Sequence, residues 1–169
     1  DVDTVSISPS GSTTDADTGV QFSHMLTDPL GTMIGEDVEW SLTSGSSGSI
    51  NSTGYFTPQL IGTQTIEACF GVICEQQTIS VTPGAAVLLR TTTTQVSITA
   101  DEVYSINAYV VDQHGNEVPG ETISYTPSNG SVVGVTFYPY NAGNQTVTIG
   151  WASQTIDLNI SVIGGAPVY

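Results

Sequence analysis

The sequence repeats itself, and the repeat fixes most of what the chain can become. Phe56-Thr57-Pro58, Gly62, Gln64-Thr65-Ile66 and Ile79-Ser80-Val81 return as Phe137-Tyr138-Pro139, Gly143, Gln145-Thr146-Val147 and Ile160-Ser161-Val162, each 81 positions later without a gap. Upstream the shift is 84, pairing Asp17 with Asp101, Phe22 with Ile106, Leu26 with Val110, Asp28 with Asp112 and Gly31 with Gly115. A duplicated unit of this length has to complete two like structures. The 169 residues therefore divide into one domain over 1–83 and a second over 84–169, joined near Pro83-Gly84. At the 81-residue offset, Gly164-Gly165-Ala166-Pro167-Val168-Tyr169 matches Pro83-Gly84-Ala85-Ala86-Val87-Leu88. Residues 164–169 thus read as the opening of a further repeat, and the chain as a piece of a longer array.

Within each repeat the apolar period is two, as a strand with one buried face requires. Val20, Phe22, His24 and Leu26 alternate along one face, and so do Tyr104, Ile106, Ala108 and Val110. Ile66, Ala68 and Phe70 match Val147, Ile149 and Trp151, while Ile156, Leu158, Ile160 and Val162 mark a further strand. Gly, Pro, Asn and Ser clusters separate these runs and supply turns. Short strands at regular spacing predict an all-β chain, with a two-layer sandwich of about seven strands in each unit.

Charge narrows the partners. Sixteen acidic residues face a single base, Arg90, for a net charge of −15. Most carboxylates have no partner available and belong in water. Such a surface repels phosphate backbones and anionic lipid headgroups, so nucleic acid is excluded as a partner. No run approaches the roughly 18–20 apolar residues of a membrane-spanning helix, so direct insertion into a bilayer is not expected.

Val111-Asp112-Gln113-His114-Gly115-Asn116-Glu117-Val118-Pro119-Gly120, followed by Ile123-Ser124-Tyr125, resembles the Asp-x-x-Gly-Asn-x-x-Pro-Gly segment and alternating strand of invasin- and intimin-type immunoglobulin-like domains of bacteria and archaea. The first repeat departs from it, with Thr32 in place of the Asn and Trp40 where Tyr125 stands. It also carries Gly54-Tyr55-Phe56-Thr57-Pro58 and a closing Ile79-Ser80-Val81-Thr82-Pro83-Gly84, similar to repeats in tandem arrays of prokaryotic surface proteins. The resemblance implies two immunoglobulin-like Greek-key sandwiches in series, displayed outside the cell. It also implies neighbouring repeats of the same chain as partners, most units acting as spacers and some as binding modules.

Cys69 and Cys74 fall on the outward parity of one predicted hairpin, opposite to Ile66, Ala68 and Phe70. A cross-strand disulfide is sterically reasonable there and points to an oxidising compartment. Free thiols and a metal site are the competing readings, the latter short of a second Cys pair or a nearby His. The matched positions Gly150 and Thr155 carry no sulfur, so the fold does not depend on the bridge. Asn51, Asn129, Asn144 and Asn159 each open an Asn-x-Ser/Thr sequon and are candidate glycan acceptors; otherwise they are ordinary polar turn residues.

Asp15, Asp17, Asp28 and Asp112 sit at predicted strand ends. They read as turn carboxylates, with Ca²⁺ at a sandwich edge as the alternative. No other cofactor is indicated. Asp17-Thr18-Gly19 copies an aspartic-protease triplet, but the preceding Thr13-Thr14-Asp15-Ala16 is polar, and Asp101 is followed by Glu102-Val103 rather than a second copy. With His24 in an apolar strand, His114 in a loop, no nucleophile motif and no phosphate loop, no catalytic machinery is expected. Trp40 and Trp151 read as packing residues, with an exposed sugar-stacking platform as the lesser reading. The expected role is a non-catalytic spacer or adhesin stalk at the cell surface. Its rivals are a glycan- or protein-binding module, favoured by a concave aromatic-lined patch, a filament subunit assembling by strand donation, and an accessory domain of a secreted hydrolase.

Overall fold

The computed structural model describes residues 1–165 and forms two compact units, Asp1–Ala85 and Ala86–Tyr169. Of the 164–169 segment, Gly164 and Gly165 are described, and Ala166 onward lies outside the described residues. No helix among the described residues is long and apolar enough to cross a membrane.

The first unit runs β1 (Thr4–Ser8), β2 (Ser12–Asp15), β3 (Val20–Gln21), β4 (Ser23–Thr27) and β5 (Met33–Ile34). It continues with β6 (Glu39–Leu42), β7 (Ser49–Ile50), β8 (Tyr55–Thr57), β9 (Gly62–Phe70) and β10 (Ile73–Thr82). One layer is ordered β2-β10-β9-β6. The other contains β1-β4-β5 and β3-β8-β7, and the two groups are linked because β3 and β4 are one strand broken at Phe22. The first strand is also split: β1 pairs antiparallel with β4, whereas β2 crosses to the other layer and runs parallel to β10. Pro9, which has no N–H to give a ladder, and Gly11, at φ 58°, occupy that crossing.

The second unit repeats the plan with β11 (Leu88–Thr91), β12 (Gln95–Thr99), β13 (Tyr104–Ser105), β14 (Ala108–Val111) and β15 (Ser124–Pro127). Then come β16 (Ser131–Val133), β17 (Thr136–Tyr138), β18 (Gly143–Trp151) and β19 (Gln154–Ile163). β12-β19-β18-β15 forms one layer, with β12 parallel to β19; β11-β14 and β13-β17-β16 form the other. The counterpart of β5 shrinks to a single bridge, Val111 to Glu117. Merging the broken strands leaves the seven of an immunoglobulin-like sandwich in the second unit, and the same seven plus the short β5 in the first. The excess of segments over seven comes from the split first strand, the interrupted second and the short β5.

Alternation explains the cores. In the first unit, Val5, Ile7, Phe22, Leu26 and Phe56 face Ile66, Ala68, Ile79 and Val81. In the second, Leu89, Ile106, Val110 and Phe137 face Val147, Ile149, Leu158, Ile160 and Val162. Phe56 and Phe137 are fully buried, each contributing roughly 1.5–3 kcal/mol over an exposed position. Tyr125 packs against the second core, and burial pushes its phenol above the ordinary value. Each unit also buries one amide at matched positions. Gln64 accepts from the Ser47 N–H at 2.5 Å and donates to the Leu60 carbonyl at 3.0 Å, while Gln145 donates to the Asn141 carbonyl at 2.5 Å.

Candidate functional site

The carboxylates singled out in the sequence are spent on the backbone. Asp28 Oδ1 accepts the N–H of Thr32 at 2.8 Å and of Leu30 at 2.9 Å. Those two bonds, Thr32 first, hold its carboxyl below the ordinary value. Asp112 accepts the N–H of His114 and of Asn116, both at 2.9 Å, through Oδ1, and the Asn116 side-chain amide at 2.8 Å through Oδ2. Asp15 Oδ1 accepts the Asp17 N–H at 2.9 Å and closes its own turn. Asp17 Oδ2 accepts the Ala85 N–H at 2.7 Å, tying the exit of the first unit to the start of its second strand. A Cβ on Gly84 would overlap the Asp17 carboxylate, and one on Gly165 would overlap that of Asp101, so the arrangement recurs in both repeats. Asp15 and Asp17 thus share one turn, and Asp28 and Asp112 stand at two others. Among the described residues, the grouping of three potential ligands that does occur is Glu67 with Cys69 and Cys74. Its two sulfurs are joined to each other, leaving no thiolate for a metal.

That disulfide links residues directly opposite in the β9-β10 ladder, with Cα atoms 4.1 Å apart. Beside it Gln76 donates to Glu67 at 2.7 Å. The four sequon asparagines are all exposed. Asn51 Oδ1 is engaged by the Thr53 N–H and hydroxyl and by the Tyr55 N–H, at 2.8–3.0 Å. Asn129 lies between β15 and β16. Asn144 and Asn159 project from adjacent strands, and the register sets each opposite the other's sequon hydroxyl, Asn144 facing Ser161 and Asn159 facing Thr146.

One concave feature carries an aromatic lining. A groove of about 610 Å³ opens in the first unit where the second strand breaks, between Gln21–His24, the segment leading into β6, and the β7–β8 turn. Trp40 and His24 line it together with Asp37, Ser23, Ser52 and Thr53. The two rings meet edge to face, centroids 6.0 Å apart, a favourable geometry for aromatic quadrupoles. His24 Nε2 lies 3.0 Å from the Glu36 carbonyl, and Gln21 Nε2 donates to the Phe22 and Thr53 carbonyls at 2.7 and 2.6 Å. Trp40 fits there because of a distant residue. Gly54, at φ +81°, lies under the indole, and a Cβ on it would stand 2.9 Å from Trp40 Cε2 and 2.6 Å from the Phe22 carbonyl oxygen.

The second unit lacks this constellation. Trp40 and Tyr125 are structural equivalents, since they pair with the matched residues Ala68 and Ile149. The acceptor role of Gly54 toward Phe22 passes to Val135 toward Ile106, and Ala108 replaces His24. Trp40 packs against the core, as its strand parity requires, but it is only half-buried, with part of the indole left to the groove. Trp151 is half-buried as well and donates its Nε1–H to Glu121 at 2.7 Å.

No protein-family model matches the sequence, and no curated protein matches it. Among solved structures, the chain is similar to invasin, a bacterial integrin-binding protein, at 18% identity and a TM-score of 0.49 over 95% of this chain and 40% of that one. It is similar to FdeC, an Escherichia coli adhesin, at 17% identity and 0.47 over 97% of this chain and 66% of that one. It is also similar to the S-layer protein rSbsC(31-844), at 17% identity and 0.46 over 99% of this chain and 29% of that one. The chain therefore spans less than a third of that S-layer protein. It is the strand order within each unit that defines the fold. The chain is a tandem of two immunoglobulin-like β-sandwiches.

Proposed function

We propose that the chain is a non-catalytic, tension-bearing spacer of an extracellular or cell-surface protein, a repeat pair that transmits force between its neighbours. The supporting observation is the parallel pairing of an early strand with the last strand in each unit. In the first unit β2 lies beside β10 from Ser12–Ile79 to Asp15–Thr82, extended by the Ala16 N–H to the Thr82 carbonyl at 2.9 Å and by the Asp17–Ala85 bond. In the second, β12 lies beside β19 from Gln95–Asn159 to Thr99–Ile163, extended by the Ala100 N–H to the Ile163 carbonyl at 2.9 Å. A pull on the two ends of a unit loads such a pair in shear. Its hydrogen bonds run across the strands and so must fail together instead of one by one. The disulfide of the first unit fits an oxidising compartment outside the cytosol, and the excess of acid discourages adhesion to anionic envelope polymers.

Single-molecule pulling on the chain between handles tests this reading. Two unfolding events are expected, each releasing roughly 70–80 residues at ~3.3–3.6 Å apiece, or about 250 Å. Thr14→Pro puts a residue without an N–H into β2 and should lower the force of one event alone. A single event, or a Pro variant with unchanged forces, would contradict the spacer reading.

A further inference from the structure

We propose that the groove at the broken second strand of the first unit binds a neutral oligosaccharide. This goes beyond the spacer role and does not rest on it: the second unit has the same fold and the same strand clamp without the groove.

The lining selects the ligand class. A half-buried indole braced by the His24 ring offers a surface whose electron-rich face attracts the polarised C–H groups of a sugar ring. Asp37 is exposed on the rim and presents two acceptor oxygens at the spacing of vicinal hydroxyls; Ser23 and Ser52 add hydroxyls that both donate and accept, while the Thr53 hydroxyl, donating to Asn51 Oδ1 at 2.8 Å, is left to accept. A volume of about 610 Å³ falls within the ~300–1,000 Å³ of small-ligand sites and suits a few sugar units better than one.

Charge rules out an acidic glycan. Asp37 lines the groove, Glu36 and Glu39 flank it in sequence, and the chain's one base, Arg90, belongs to the other unit. A quaternary ammonium is a poorer fit, because such ions are held in cages of several aromatic faces and this groove offers one indole with an imidazole beside it. Two features keep the indole available. Gly54, whose matched residue in the other repeat is Val135, leaves beside the indole the room a Cβ would take, and Gln21 ties the second strand to the β7–β8 turn, fixing the groove walls.

The test uses the whole chain, made in a host that leaves its sequons unmodified, with Trp151→Phe so that Trp40 is the sole tryptophan fluorophore. It is titrated with uncharged cello-, malto-, manno-, xylo- and chito-oligosaccharides, with an acidic hyaluronan oligosaccharide, and with tetramethylammonium. At least one neutral series should give a saturable shift of Trp40 emission, matched by amide NMR shifts confined to Gln21–His24, Asp37–Trp40 and Ser52–Gly54. Asp37→Asn, an exposed change that spares the fold, should weaken that binding about tenfold, and Trp40→Phe by at least as much; Tyr125→Phe should leave it unchanged. The proposal is overturned if no neutral sugar perturbs those residues up to ~10 mM. Saturation by the acidic sugar or the ammonium instead, or equal binding by Asp37→Asn, would overturn it too. None of these failures would alter the unfolding forces by which the spacer role stands or falls.

Discussion

At the scale of single residues, the acidic surplus serves as internal scaffolding as well as surface charge. Asp112 is 2% exposed and Asn116 6%, so the three donors that Asp112 satisfies sit where water reaches poorly. Asp112→Ala strands them, and an unpaired buried donor costs about 1–3 kcal/mol. Chemical denaturation should therefore show the second unit destabilised by roughly 2–3 kcal/mol, with the first unchanged. An effect below about half a kilocalorie would mean that the loop stands without the carboxylate. The repeat revealed that Asp28 and Asp112 matter at the same place but not why, because the lone pairs that accept backbone N–H groups are the ones that would hold Ca²⁺. Only the turn that brings residues two and four positions on back over the carboxylate decides between them. Gln64 and Gln145 were legible in another way: their inward parity was visible in the alternation, though glutamine is seldom buried unless bonded.

At the scale of elements, alternation and turn residues marked the long hairpins, and the register places Cys69 opposite Cys74 as outward parity suggested. A bridge closing so short a loop removes little chain entropy. Replacing both cysteines by serine should lower the stability of the first unit by no more than about 2 kcal/mol and leave the second untouched. A larger loss, or two thiols alkylated in the unreduced protein, would contradict the bridge as drawn. Two features were hidden. The crossing of the first strand between layers depends on pairing with a last strand more than sixty residues away, which no local pattern in β1 or β2 encodes. The half-exposure of Trp40 depends on the missing Cβ of Gly54, on another strand connection altogether. Parity along one strand reports which side faces inward. It does not report whether a neighbour fills the space there.

At the scale of the whole molecule, duplication has supplied two complete apolar interiors, Val5–Val81 and Leu89–Val162, with no core residue shared between the two clusters. That independence underlies the spacer reading, since a repeat can carry load in series only if it folds without help. It also leaves the copies free to differ: the first unit carries a disulfide and an aromatic groove that the second does not share among the described residues. The most direct measurement is to produce residues 1–85 and 86–169 separately and compare their amide NMR spectra and denaturation with those of the intact chain. Two well-dispersed spectra that superimpose on the intact one away from the cut, each with its own cooperative transition, are predicted. A half that remains unfolded, or whose core signals move when its partner is removed, would contradict the account.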